Sequence, residues 1–282
     1  MNVTAYHRPR SLDEAKQLLA EHPAARLIAG GTDLLVRLRA GRESAAALVS
    51  LRGVGELAQI EVSGEVRLGA GTILSDILAH RALAEVHPVL AAAARTLGSP
   101  QIRNVATVGG NLASARPCAD LAPPLLVLDA VVLVDGPNGT RELPLDDFLV
   151  GPGQTCLLSG EILVGLRIPP PAGARAVFFK KGRVAMDLAL VSVAASLALD
   201  RGLARRVRLA AGSVAPRPLR LRDAEAILEG KNITPALASE AATVAAAEIQ
   251  PISDLRASAD YRRELTLVFV RRAHMSFASE AA

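Results

Sequence analysis

Thr107-Val108-Gly109-Gly110-Asn111-Leu112 runs on through Ala113-Ser114-Ala115-Arg116-Pro117-Cys118-Ala119-Asp120-Leu121-Ala122-Pro123 and gathers polar groups within an apolar chain. Thr107, Asn111, Ser114 and Asp120 bring hydroxyls, an amide and a carboxylate. Gly109 and Gly110 leave the main chain bare, so its N–H groups are expected to be exposed. Such a set can hold a polyhydroxylated, phosphorylated ligand. The same residues also read as a loop in which Asp120 caps the following helix.

A second glycine pair lies upstream, in Ala29-Gly30-Gly31-Thr32-Asp33-Leu34-Leu35. It falls between a predicted strand, Arg26–Ala29, and a predicted helix, Thr32–Leu38. Glycine permits a tight turn and close approach of a ligand, and the helix start favours an anion such as a pyrophosphate. The spacing is not G-x-G-x-x-G, so a Rossmann fingerprint is absent. Taken alone, the segment is a weak signal and reads first as a plain strand–turn–helix corner.

The rest of the chain narrows the choice. Its 282 residues include 32 basic and 28 acidic side chains, a net charge of +4, and half are hydrophobic. A large core follows, and disorder is excluded. With five Phe, two Tyr and no Trp, the core is aliphatic and platforms for stacking bases are missing. The densest basic stretch, Arg201–Arg222, reads as a solvated or subunit-facing surface, not as a nucleic-acid site. Two cysteines, Cys118 and Cys156, cannot build a disulfide framework or a four-thiolate cluster. The five histidines show no metal-ligand spacing. The start of the chain lacks a signal-peptide layout, and the apolar run Leu188–Leu199 is too short to span a bilayer, so a cytoplasmic location is expected.

Periodicity gives an α+β chain. Asn2–Tyr6 reads as a strand, Ser11-Leu12-Asp13-Glu14 as a capping box opening a helix, and Ala47–Leu51 as a strand, so the first 55 or so residues alternate as a small α/β unit. Leu57–Val62 and Val66–Leu68 read as a hairpin, Thr72–Leu83 and Val89–Leu97 as helices, and Val131–Val134 with Arg141–Leu143 as a strand pair. Strand Ile162–Ile168 stops at Pro169-Pro170-Pro171, the best linker in the chain. Beyond it, Ala174–Phe179, Ala189–Leu199 and Ala204–Ala210 suggest antiparallel strands. Leu221–Leu228, Pro235–Ala247 and Tyr261–Met275 suggest helices.

The two glycine segments together, with the lead-in Arg103-Asn104-Val105-Ala106, closely resemble the FAD-binding (medium) subunit of molybdenum hydroxylases. That family includes carbon monoxide dehydrogenase flavoproteins and the flavin domain of xanthine dehydrogenases. The resemblance implies a two-subdomain FAD-binding fold of the PCMH/VAO type over 1–171 (subdomains about 1–55 and 56–171). A small α+β C-terminal domain with an antiparallel sheet would occupy 172–282. It also implies that Ala29, Gly30, Gly31, Thr32, Asp33, Leu34 and Leu35 wrap the FAD pyrophosphate. Thr107, Gly109, Gly110, Asn111 and Ser114 would meet the cofactor's other side, and Asp120 one of its hydroxyls. Ile162 and Leu163 would pack near the flavin, and Lys180 would stand near the isoalloxazine with Asp187 on the same segment. Leu97 replaces an aromatic that some relatives set against the adenine, and Arg116 stands where a smaller residue is expected.

The role so implied is a FAD-dependent oxidoreductase subunit without a nucleophile of its own. A large molybdopterin-binding subunit would carry the molybdenum cofactor and a small subunit two 2Fe–2S clusters. NAD+, oxygen or a quinone would be the acceptor. A stand-alone FAD oxidoreductase and a non-catalytic nucleotide-binding or assembly protein are the alternatives.

Overall fold

The structure, a computed structural model, describes residues 3–278. Of the expected first strand, Asn2 lies outside the described residues, and the strand runs Ala5–His7. It pairs in parallel with Ala47–Ser50, which also pairs in parallel with Arg26–Ile28. Two helices, Leu12–Glu21 and Leu34–Arg39, make the crossovers that parallel pairing requires. The expected capping box forms with a shift: the Ser11 hydroxyl accepts the Glu14 N–H, and Glu14 reaches back to the Arg10 N–H.

An antiparallel five-stranded sheet follows, in spatial order Ile60–Ser63, Glu65–Gly69, Ile162–Ile168, Val131–Gly136 and Gly139–Pro144. Its core is aliphatic, built from Val66, Leu68, Val132, Val134 and Leu166 against Leu74, Ile77, Leu90, Leu112 and Leu125. The single helix expected over Thr72–Leu83 is two, Leu74–Ala79 and Arg81–Val86. The break falls at His80, which leaves helical geometry and accepts the Leu83 N–H on Nδ1. A side chain that caps a new helix ends the old one, and periodicity does not register that.

The third sheet is antiparallel, in order Arg175–Lys181, Val191–Asp200, Leu203–Gly212 and Leu219–Arg220. Val191, Val193, Ala195 and Leu197 face helices Pro235–Glu248 and Ala259–Ala278 through Ala241, Ala245, Val270 and Phe277. Between them Ala194 joins the core of the preceding lobe. With both faces covered, this strand reads as an unbroken apolar run.

The arginine-rich stretch is only partly solvent-facing. Arg208 and Arg220 bind Asp129, while Arg217 and Arg222 bind Asp146, at 2.6–3.0 Å. These ion pairs tie the C-terminal lobe to the strands and helices before the prolines.

Candidate cofactor cleft

The two glycine segments meet. A Cβ on Gly30 would collide with the Val105 carbonyl and the Ala106 Cα, so only glycine lets the first loop lie against the second. Gly31 has φ +73°, the left-handed region, and turns the chain from the Arg26–Ile28 strand into the Leu34–Arg39 helix. Across this turn the N–H groups of Gly31, Thr32 and Asp33 donate to no carbonyl among the described residues.

The second loop behaves differently, and the expectation of exposed amides there is corrected. Thr107 is extended and caps the helix Val108–Ala113, its hydroxyl accepting the Gly110 N–H at 3.0 Å. The Val108 N–H donates to the Thr72 carbonyl and the Gly109 N–H to the Ala70 carbonyl. Gly109 is glycine for a packing reason, because a Cβ there would stand 2.6 Å from Ala70 Cβ. What this loop turns to the cleft is side chains and the bare Cα of Gly110.

Both loops line one open cleft. Its walls include Ala29, Gly30, Gly31, Thr32, Asp33, Leu34, Leu97, Thr107, Gly110, Asn111 and Ser114, eleven of the residues singled out from the sequence. The Asn111 side-chain oxygen Oδ1 accepts the Leu121 N–H, and the Ser114 hydroxyl donates to the Asn111 main-chain carbonyl, which fixes both side chains. Across the mouth, Arg116 grips Asp33: Nη2 and Nε lie 3.1 and 3.3 Å from the same carboxylate oxygen. Burial pushes the Asp33 carboxyl up, against the pull of the Arg37 charge.

Asp120 and Lys180 lie outside this wall. The Lys180 ammonium donates to Asp120 at 2.7 Å and to the Thr96 carbonyl at 3.0 Å, with both side chains nearly buried. Asp120 therefore caps nothing, and the helix Ala122–Val127 has Leu121 at its cap with no side-chain bond. Burial pushes the Asp120 carboxyl up while Lys180 pulls it down, and the carboxylate's second oxygen, Oδ1, is buried with no hydrogen-bond partner among the described residues. Burial, with the Asp120 charge adding to it, also raises the neighbouring Cys118 thiol. Asp187 bonds Arg183 and the Leu188 N–H, which hold its carboxyl below the usual range.

Four singled-out residues stand in the framework. Leu35 packs with Ile28 and Leu38, and Gly109 lies against Ala70. Ile162 is buried with Ala15 and Val49, and Leu163 belongs to the main core. Sequence reasoning missed Arg26, Leu27, Ile28, Glu43, Ala106, Ala113 and Gly153, which also line the cleft. Only Gly153 had a local signal, the Gly151-Pro152-Gly153 turn.

An elongated ligand with an anionic middle and hydroxyl-bearing arms suits these parts. Unused amides await an anion, a buried carboxylate oxygen awaits a donor, and glycines keep the passage clear. The fold and the cleft thus define a protein of mixed α and β structure whose cleft suits an elongated, phosphorylated ligand.

Residues 2–171 match the FAD-binding domain in molybdopterin dehydrogenase, and residues 176–277 match the carbon monoxide dehydrogenase flavoprotein C-terminal domain. The chain is 34% identical over 276 residues to the xanthine dehydrogenase FAD-binding subunit of Escherichia coli O157:H7, covering 96% of this chain and 94% of that one. It is 32% identical to the carbon monoxide dehydrogenase medium chain of Hydrogenophaga pseudoflava, covering 95% and 94%. Among solved structures, carbon monoxide dehydrogenase from Hydrogenophaga pseudoflava superposes with a TM-score of 0.93 at 34% identity, covering 96% of each chain. Quinoline 2-oxidoreductase from Pseudomonas putida 86 gives 0.93 at 33%, covering 98% and 97%. This chain belongs to the family of FAD-binding subunits of molybdenum hydroxylase-type dehydrogenases, and its cofactor is FAD.

Proposed function

We propose that this chain is the electron-transfer subunit of a three-part molybdenum hydroxylase. It takes electrons from 2Fe–2S clusters of a small partner subunit and passes them to NAD+, oxygen or a quinone. A large molybdopterin-binding subunit oxidises the substrate, and the complex works in the cytoplasm. The observation that carries the reading is the meeting of two glycine loops, far apart in sequence, along one cleft that offers unbonded amides. A chain with two cysteines has no four-thiolate set for a cluster, so the clusters belong to a partner.

Bound FAD supplies the redox chemistry that side chains lack. The chain's residues bind and orient it. The Gly31, Thr32 and Asp33 amides receive the diphosphate, and Thr107, Gly110, Asn111 and Ser114 bound the opposite wall. Leu97 offers aliphatic contact to the adenine. The buried Asp120 oxygen accepts a cofactor hydroxyl, and Lys180 holds Asp120 in place. Ile162 and Leu163 act from behind, by fixing the strand that supports the cleft. The division of the chain at the prolines, 1–171 and 172–282, is part of the same reading.

Co-expression with candidate partner subunits tests it. A co-purifying complex with stoichiometric FAD is expected, in which a reduced cluster subunit bleaches the flavin absorbance and one acceptor restores it. A flavin that reduced clusters leave untouched would reject the electron-transfer role.

A further inference from the structure

Four charged side chains line the cleft: Arg26, Asp33, Glu43 and Arg116. Arg26 and Glu43 pair with each other, and Glu43 also binds Arg37. Asp33 and Arg116 pair across the two loops, so the wall carries no net charge. Asp33 is the acid beside the unused amides, since its own N–H is one of them. A carboxylate there repels any diphosphate that those amides receive, and the repulsion grows as water is excluded. Arg116 contacts a single oxygen of Asp33 through two nitrogens, and its remaining nitrogen, Nη1, lies by Gly153 on the cleft wall.

We propose that Arg116 is a positioning residue that cancels the Asp33 charge where the cleft takes up a diphosphate, and so sets the affinity for FAD. This rests on the reading of the cleft as the FAD site. Arg116 acts on the ligand through Asp33, not as a mechanical strap and not as the principal phosphate ligand. The three roles differ in what removal of Asp33 does to a chain already lacking Arg116.

The test is FAD titration of the flavin-free full chain by fluorescence quenching, in wild type, Arg116→Ala, Asp33→Asn and the double variant. Arg116→Ala is expected to weaken binding at least about tenfold at low salt, and less at about 0.5 M salt, where screening shortens the reach of Asp33. Asp33→Asn is expected to bind several-fold more tightly than wild type, and the double variant to return to within about threefold of wild type. If the double variant stays as weak as Arg116→Ala, the proposal fails in favour of direct phosphate contact. If Asp33→Asn alone is as weak as Arg116→Ala, it fails in favour of a strap. A wild-type chain that binds no FAD overturns the site itself and the proposal with it, whereas wild-type binding unaffected by Arg116→Ala overturns the proposal alone.

Discussion

Gly30-Gly31 and Gly109-Gly110 look alike in the sequence and do different work. The first pair turns through a left-handed residue and leaves amides unused. The second sits in a capped helical turn whose amides are bonded within the protein, and Gly109 is glycine because Ala70 leaves no room. A glycine pair therefore identifies close approach, but not of what to what. In one place backbone meets backbone so that a cleft can form; in the other a helix meets a strand end so that the cleft has a wall.

Substitutions separate the two. The largest effect is expected for Gly30→Val, whose side chain would drive into the Val105 carbonyl: a loss of more than about 3 kcal/mol with loss of bound flavin. Urea unfolding and the flavin-to-protein ratio measure both, and unchanged stability would show that the loops do not meet at Gly30. Next is Lys180→Ala, which strands the buried Asp120 carboxylate at a cost of about 3 kcal/mol unless Asp120 takes up a proton. The cost should therefore shrink toward acid pH. Spectroelectrochemistry on the same variant checks for a shifted flavin potential, and an unmoved potential would place Lys180 away from the ring.

A pH effect remote from both loops provides the control. His274, in the helix Ala259–Ala278, is fully buried, and burial pushes its pKa down to about 4, outweighing the Val270 carbonyl. Neither ring nitrogen makes a hydrogen bond of normal geometry. The folded protein thus binds this proton less readily than the unfolded chain. Stability is full above about pH 6.5 and falls by up to about 3 kcal/mol as pH drops to about 4. His274→Leu should flatten that slope, as read by urea unfolding at several pH values, while leaving flavin content alone. The smallest effects sharpen the contrast within the second pair. Gly109→Ala should cost about 2 kcal/mol through Ala70, whereas Gly110→Ala, crowding only the Thr107 hydroxyl, should cost about 1 kcal/mol or less. Equal costs would mean that Gly109 is not a packing glycine.

Much of the fold was legible because its elements have strong periods and plain stops. Strand Ile162–Ile168 ends at three prolines, and the Pro235–Glu248 helix opens with Thr234 accepting the Leu237 N–H. The break at His80 was not legible, because a histidine accepting on Nδ1 leaves no trace in an apolar pattern. Asp120 was legible as important, and its alternative reading as a cap fails because its partner Lys180 comes from a strand sixty residues further on.

The order of residues decided most of the strands, helices and turns, since those depend on local sterics and spacing. Tertiary structure alone decided which amides stay unused, which acid Arg116 pairs with, and where Asp120 and the arginine run find their partners. Those outcomes depend on contacts between segments scores of residues apart, and a linear pattern holds no distances.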